Sequence, residues 1–157
     1  MHPDKIAALP FRPCVGIVMV NAQGLVFAGT RSDLAEPSWQ MPQGGIDKGE
    51  NVREAGLREL QEETGVAPGD VSVLAETRDW HPYELPPELL PYRGKYRGQT
   101  QKWLHVRLEV DDGAIDLSHD DIEFSDWRWM DGAELVQRIV PFKRAIYEAV
   151  LSEFGLL

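Results

Sequence analysis

The chain predicts an α/β or α+β sandwich, with helices and strands sharing one core. Three observations carry this expectation. Strand-length apolar or alternating runs at residues 14–20, 25–30, 71–77, 102–110 and 127–130 are interleaved with helical stretches at 51–64 and 131–154. The spacings between runs are of both hairpin and crossover length. At 157 residues, 43% apolar and 27% charged, without repeat, low-complexity tract or linker, the chain is expected to be one domain over 1–157 with a real core.

The elements follow in order. Residues 1–13 form a lead-in broken by Pro3, Pro10 and Pro13, with Arg12 just ahead of the first strand. Residues 14–20, CVGIVMV, predict a strand buried on both faces. Asn21 to Gly24 is turn chemistry, and residues 25–30 return as a hairpin arm. A polar loop at 31–37 and the segment 38–43 lead to a glycine turn at Gly44, Gly45 and Gly49. Residues 51–64 predict a helix. Asn51 suits the N-cap, Glu54 completes a capping box, Ala55, Leu57 and Leu60 favour helix, and Gly65 suits a left-handed C-terminal cap.

Residues 67–70 read as a loop, and 71–77 alternate like a half-buried strand. Residues 78–100 are the longest irregular stretch. They mix Trp80, Tyr83, Tyr92 and Tyr96 with Arg93, Lys95 and Arg97, which suits stacking on bases and pairing with phosphate, or a plain surface loop. Residues 102–110 alternate as a strand, 116–121 are acidic, and 127–130 form a short strand. Asp131, with Glu134, starts a helix running to about Val140, and Pro141 opens another over 142–154. Phe142, Ala145, Ile146, Ala149 and Val150 form its expected packing face.

The formal net charge of −10 argues against binding long nucleic acid through an extended cationic surface, while local basic spots can still grip a phosphate chain. A lone cysteine, Cys14, precedes an apolar run and reads as core in a reducing compartment. Without an apolar leader or a run of about 18 apolar residues, no signal peptide or membrane span is expected, and the cytoplasm is the expected location.

The helix at 51–64 breaks local rules. Glu59, Glu62 and Glu63 are spaced i, i+3, i+4 and share one face. Such like charges repel by about 0.2–0.5 kcal/mol per pair, and they sit at the negative end of the helix dipole. Arg58 is the nearby cation. One reading is a solvated acidic face. The other is a site for a hard cation such as magnesium, which takes carboxylate oxygens together with substrate phosphate.

Residues 44–66, GGIDKGENVREAGLRELQEETGV, resemble the Nudix box, G-x5-E-x7-R-E-U-x-E-E-x-G-U with U bulky and apolar. Gly44, Glu50, Arg58, Glu59, Leu60, Glu62, Glu63, Gly65 and Val66 fill its fixed positions. The resemblance implies an α/β/α sandwich with a mixed sheet and a loop-helix-loop catalytic motif. It implies hydrolysis of a nucleoside diphosphate linked to another group. It also implies Glu59, Glu62, Glu63 and the Gly44 carbonyl as ligands of magnesium (manganese is the alternative), with Glu50 and Arg58 structural.

RPCVGIVMVN, SWQMPQGGID, TRDW, GQTQKW, EFSDWRW and VPFKRAIYEAV resemble the branch of RNA pyrophosphohydrolases and asymmetric diadenosine tetraphosphate hydrolases. That branch implies Glu123 as a further metal ligand or base. It implies Arg12, Arg31, Ser38, Tyr83, Gln99, Gln101 and Lys102 along the substrate path. Val140, Phe142 and Lys143 would form a base-contacting patch. The expected substrate is an RNA 5′ end or a dinucleoside polyphosphate. The alternatives are hydrolysis of ADP-ribose or nucleoside triphosphates, or a non-catalytic nucleotide sensor.

Overall fold

The apolar run at 14–20 anchors the sheet. It lies within strand β1 (Phe11–Val20), where Cys14, Val15, Ile17, Val18 and Met19 are all fully buried. In the computed structural model, residues 2–31, 38–118 and 124–157 are described. Strand β6 (Gly98–Leu108) runs parallel to β1 along its whole length, from Phe11 opposite Gly98 to Val20 opposite Arg107. On its other side β1 changes partner. Residues Cys14 to Gly16 pair with the short strand β3 (Gln43–Gly45), and Val20 pairs with β2 (Val26–Thr30). Strand β7 (Asp126–Met130) extends the sheet beyond β2. The outer edge of β6 is shared by β4 (Val71–Glu76) and β5 (His81–Glu84).

Helices cover both faces. Helix α2 (Val52–Thr64) packs on the face carrying Ile17, Met19, Phe27, Leu104 and Val106. Helices α3 (Gly132–Arg138) and α4 (Arg144–Glu153) pack on the other, against Val18, Val20, Val26 and Trp103. This is the expected α/β sandwich with a mixed sheet. Among the described residues no helix is long and apolar enough to cross a membrane.

Helix α2 has the caps its sequence predicts. The Glu54 N–H donates to Asn51 Oδ1 at 2.8 Å, and the Asn51 N–H donates to Glu54 Oε1 at 3.2 Å. Such a cap contributes about 1 kcal/mol. Gly65 ends the helix at φ 79°, a conformation that costs other residues about 1–2 kcal/mol.

Elsewhere the structure corrects the expectations. A helix, α1 (Pro3–Ala8), occupies the lead-in, with Pro3 in its first turn, where a missing N–H costs nothing. The glycine turn contributes β3, where a Cβ at Gly44 would overlap the Glu59 carboxyl and one at Gly45 the Arg12 guanidinium. The supposedly irregular stretch 78–100 contains β5 and the start of β6. The packing face of α4 is also shifted. Ile146, Tyr147, Val150 and Leu151 are buried, whereas Ala145 and Ala149 are exposed and Phe142 is 45% exposed. The larger side chains set the rotation. Tyr147 packs edge-on to Trp103, and its hydroxyl accepts from the Met41 N–H at 2.9 Å. Pro141 opens a single 3-10 turn (Pro141–Lys143), and the α-helix starts at Arg144.

Candidate active site

The Glu59 side chain is held where β3 meets α2. Its residue is only 8% exposed, and its carboxyl lies so close to Gly44 that a Cβ there would overlap it. Burial pushes the Glu59 carboxyl up from its ordinary value, against the opposing pull of Arg58. Arg58 donates from Nη1 to Glu59 Oε1 at 2.9 Å and to Glu62 Oε2 at 3.2 Å. It also forks onto Glu50, through Nε and Nη2, each at 2.8 Å, and donates from Nη2 to the Gly45 carbonyl at 2.9 Å. One guanidinium therefore ties the glycine loop, the helix and two of the three clustered glutamates together.

The hydrogen bonds from Arg58, then that from the Asp47 N–H, hold the Glu50 carboxyl down from 4.5 to about 2. A group with a depressed folded value adds stability above its unfolded value, and this is lost as pH falls through the folded one. Wild-type stability is thus expected to fall between about pH 4.5 and about pH 2, and Glu50→Gln to lose that share of the acid limb. Urea unfolding across that range checks it.

A cleft of about 290 Å³ opens beside Gly44. Glu59, Glu63 and Gln43 line it together with Arg12, Tyr92 and Arg93. The Arg12 guanidinium lies against Gly45, and its Nη1 donates to the Tyr92 hydroxyl at 3.2 Å. Gln43 Oε1 is buried there and has no hydrogen-bond partner among the described residues. Among the described residues the lining offers carboxylate and amide oxygens and no imidazole or thiolate, a donor set suited to a hard divalent cation. Among the described residues no three His, Cys, Asp or Glu side chains are already drawn together at ligand spacing. Arg58 holds Glu59 and Glu62 instead. Cys14, beside the cleft, has its thiol pushed up to about 11, mainly by burial, which suits core rather than nucleophile.

The expected substrate residues divide. Gln99 and Gln101 are buried on the same face of β6, and Gln101 Nε2 donates to Gln99 Oε1 at 2.9 Å. Tyr83 stands opposite Gln99 in the sheet. Its ring centroid is 5.9 Å from that of Phe142, and Lys143 Nζ lies 5.7 Å from it. Burial pushes Lys143 down and Tyr83 up from their ordinary values. Val140 packs against the same core.

Arg31 and Ser38 flank the end of β2, where the Thr30 hydroxyl donates to the Ser38 carbonyl at 2.9 Å; neither lines the cleft. Lys102 is not brought in either. Strand alternation turns it to the opposite face of β6, where Nζ lies 3.5 Å from Glu76 and 5.6 Å from the Trp80 ring centroid. Glu123 falls outside the described residues. Gln43 lines the cleft without having been named as a candidate from the sequence, whereas Tyr92 and Arg93 were named only within the mixed stretch 78–100. The signal for the last two was the aromatic and basic mixture at 78–100.

Comparison with known proteins bears on this arrangement. Residues 10–150 match the NUDIX domain. An RNA pyrophosphohydrolase of Roseobacter denitrificans is 54% identical over 156 residues, covering 98% of both chains. One from Novosphingobium aromaticivorans is 53% identical over 155 residues, covering 96% of both. Among solved structures, a C. elegans Ap4A hydrolase complex superposes with a TM-score of 0.62 at 16% identity, over 90% of this chain and 98% of that one. The E. coli dihydroneopterin triphosphate pyrophosphohydrolase gives 0.65 at 18%, over 89% and 96%. These two likenesses concern the fold. With the domain match spanning most of its length and close relatives covering nearly all of it, the chain belongs to the Nudix family.

Proposed function

We propose that the chain is a metal-dependent pyrophosphohydrolase of nucleotide 5′-polyphosphates. It converts a triphosphorylated RNA 5′ end to a monophosphate end plus pyrophosphate. It also splits dinucleoside polyphosphates, diadenosine tetraphosphate giving ATP and AMP. The observation that carries this reading is the single cleft in which Glu59 and Glu63 face the same space as Arg12. The nearly full-length likeness to RNA pyrophosphohydrolases supports the choice of substrate.

In this proposal Glu59, Glu62 and Glu63, with the Gly44 carbonyl, hold the divalent cation. Magnesium is the proposed ion and manganese the alternative. When bound, it neutralises phosphate charge and makes water a better nucleophile. Arg12 pairs with non-bridging phosphate oxygens, supplying positive charge beside the cleft's carboxylates. Glu63 or Glu123 accepts the proton of the attacking water. The water oxygen bonds to an internal phosphorus, and the bond from that phosphorus to the bridging oxygen breaks. Glu50 and Arg58 keep the loop and helix in register. Tyr83, Phe142 and Lys143 form the proposed base-contacting wall, with Gln99 and Gln101 behind it.

The test is a comparison of kcat/KM on triphosphorylated RNA and on diadenosine tetraphosphate, with products identified. Pyrophosphate and a 5′-monophosphate end are expected from the first, ATP and AMP from the second. Absence of turnover on both, with magnesium or manganese, overturns the reading.

A further inference from the structure

Tyr92 sits where three donors converge. Its hydroxyl oxygen accepts from Gln99 Nε2 at 3.1 Å, from Arg12 Nη1 at 3.2 Å and, more weakly, from Arg93 Nε at 3.4 Å. A phenol oxygen has two lone pairs and one proton. The three donors use up the lone pairs, so the proton must be offered elsewhere. Among the described residues the Tyr92 hydroxyl donates no hydrogen bond. The residue lines the cleft that holds Glu59 and Glu63.

The donors are themselves aimed. Trp103 Nε1 donates to Gln101 Oε1 at 3.1 Å, Gln101 donates to Gln99, and Gln99 donates to Tyr92. This relay runs from the core to the cleft with every donor pointing the same way. A chain of this kind strengthens the donor at its end. The same hydrogen bonds outweigh burial, which alone would raise the phenol, and leave its proton more readily shared than usual.

The backbone also holds the ring in place. The Tyr92 N–H donates to the Tyr96 carbonyl at 2.7 Å, and the Tyr96 N–H donates back at 2.9 Å. Between them Arg93 adopts φ 49°, a left-handed conformation that costs a non-glycine residue about 1–2 kcal/mol. The Arg97 N–H donates to the Pro10 carbonyl at 3.0 Å, tying this hairpin to the entry of β1 and so to Arg12.

We propose that Tyr92 is a substrate-binding residue of this cleft: its oxygen holds Arg12 in place, and its proton is donated to a phosphate oxygen of the polyphosphate chain. The proposal rests on the pyrophosphohydrolase reading above. An oxyanion is the acceptor that the site calls for, because two guanidinium groups and a phenolic donor meet there.

The test uses the full chain and the variants Tyr92→Phe and Tyr96→Phe. Tyr92→Phe removes the hydroxyl and leaves both the hairpin bonds and the ring pair with Tyr96, whose centroids are 6.4 Å apart. On a triphosphorylated oligoribonucleotide with magnesium, Tyr92→Phe is expected to lower kcat/KM by about ten- to a hundredfold. Most of the loss should fall on KM, because bound substrate and transition state share the contact. Calorimetric binding of inorganic pyrophosphate with magnesium should weaken by about tenfold or more, and Tyr96→Phe should change neither.

If Tyr92→Phe stays within about twofold of wild type in both measurements, the proposal falls. It falls equally if Tyr96→Phe loses as much, since the effect would then belong to the whole loop. If wild type turns over no nucleotide but Tyr92→Phe still weakens pyrophosphate binding, Tyr92 stands as a phosphate ligand and the pyrophosphohydrolase reading is the one that fails.

Discussion

Replacing Glu62 or Glu63 by glutamine is expected to lower kcat on a triphosphorylated RNA end by about a thousandfold at saturating magnesium. Glutamine keeps the size of the side chain and one oxygen but removes the charge proposed above to hold a hard cation. Stability should move the other way for Glu62. Its side chain is 52% exposed, and its pair with Arg58 is an i,i+4 contact worth about 0.3–0.5 kcal/mol. Removing it also removes repulsion from Glu59, an i,i+3 neighbour, of similar size. The metal-free Glu62→Gln protein should therefore melt within a few degrees of wild type, or slightly above it. Near-normal turnover in either variant would remove these glutamates from the metal site.

Arg58→Ala is the substitution expected to cost most in stability. It leaves Glu59, whose side chain is 10% exposed, without its cation, and it cuts Glu50 and the Gly45 carbonyl loose together. Stranding a buried carboxylate costs several kcal/mol when nothing replaces its partner. Because Arg58 and Glu50 remain partly solvated, about 2–4 kcal/mol is a reasonable expectation. For a chain of this size that lowers the melting midpoint by roughly 5–15 °C. Arg58→Lys should recover part of this, since one ammonium replaces the charge but not the fork onto Glu50. Thermal melts of the three proteins without added metal decide the matter. Equal midpoints would show that the glutamates are held by something else.

Much of this was legible in the chain because it is local. The caps of α2 follow from Asn51, Glu54 and Gly65, and the buried strand β1 follows from an unbroken apolar run. The spacing of Glu59, Glu62 and Glu63 places them on one face before any fold is known. What stayed hidden depends on long-range pairing. Strand β3 is three residues of glycine-rich chain that become a strand only because β1 lies beside them. The rotation of α4 is set by Tyr147 finding Trp103 and Met41. Lys102 sits one residue beyond Gln101, and only the pleat of β6 sends it to the opposite face. Tyr92 looked like one aromatic among several until the hairpin at 92–96 turned it over the cleft.

The parallel pairing of β1 with β6 has a kinetic consequence. Arg12 and Gln99 are direct partners in that ladder, although 87 positions separate them. Closing so large a loop is entropically slow, and a parallel ladder gives little reward until many rungs form together. The cleft therefore cannot assemble ahead of the central sheet. During refolding from denaturant, recovery of activity should coincide with burial of Trp103 on β6, and no earlier compact species should hydrolyse substrate.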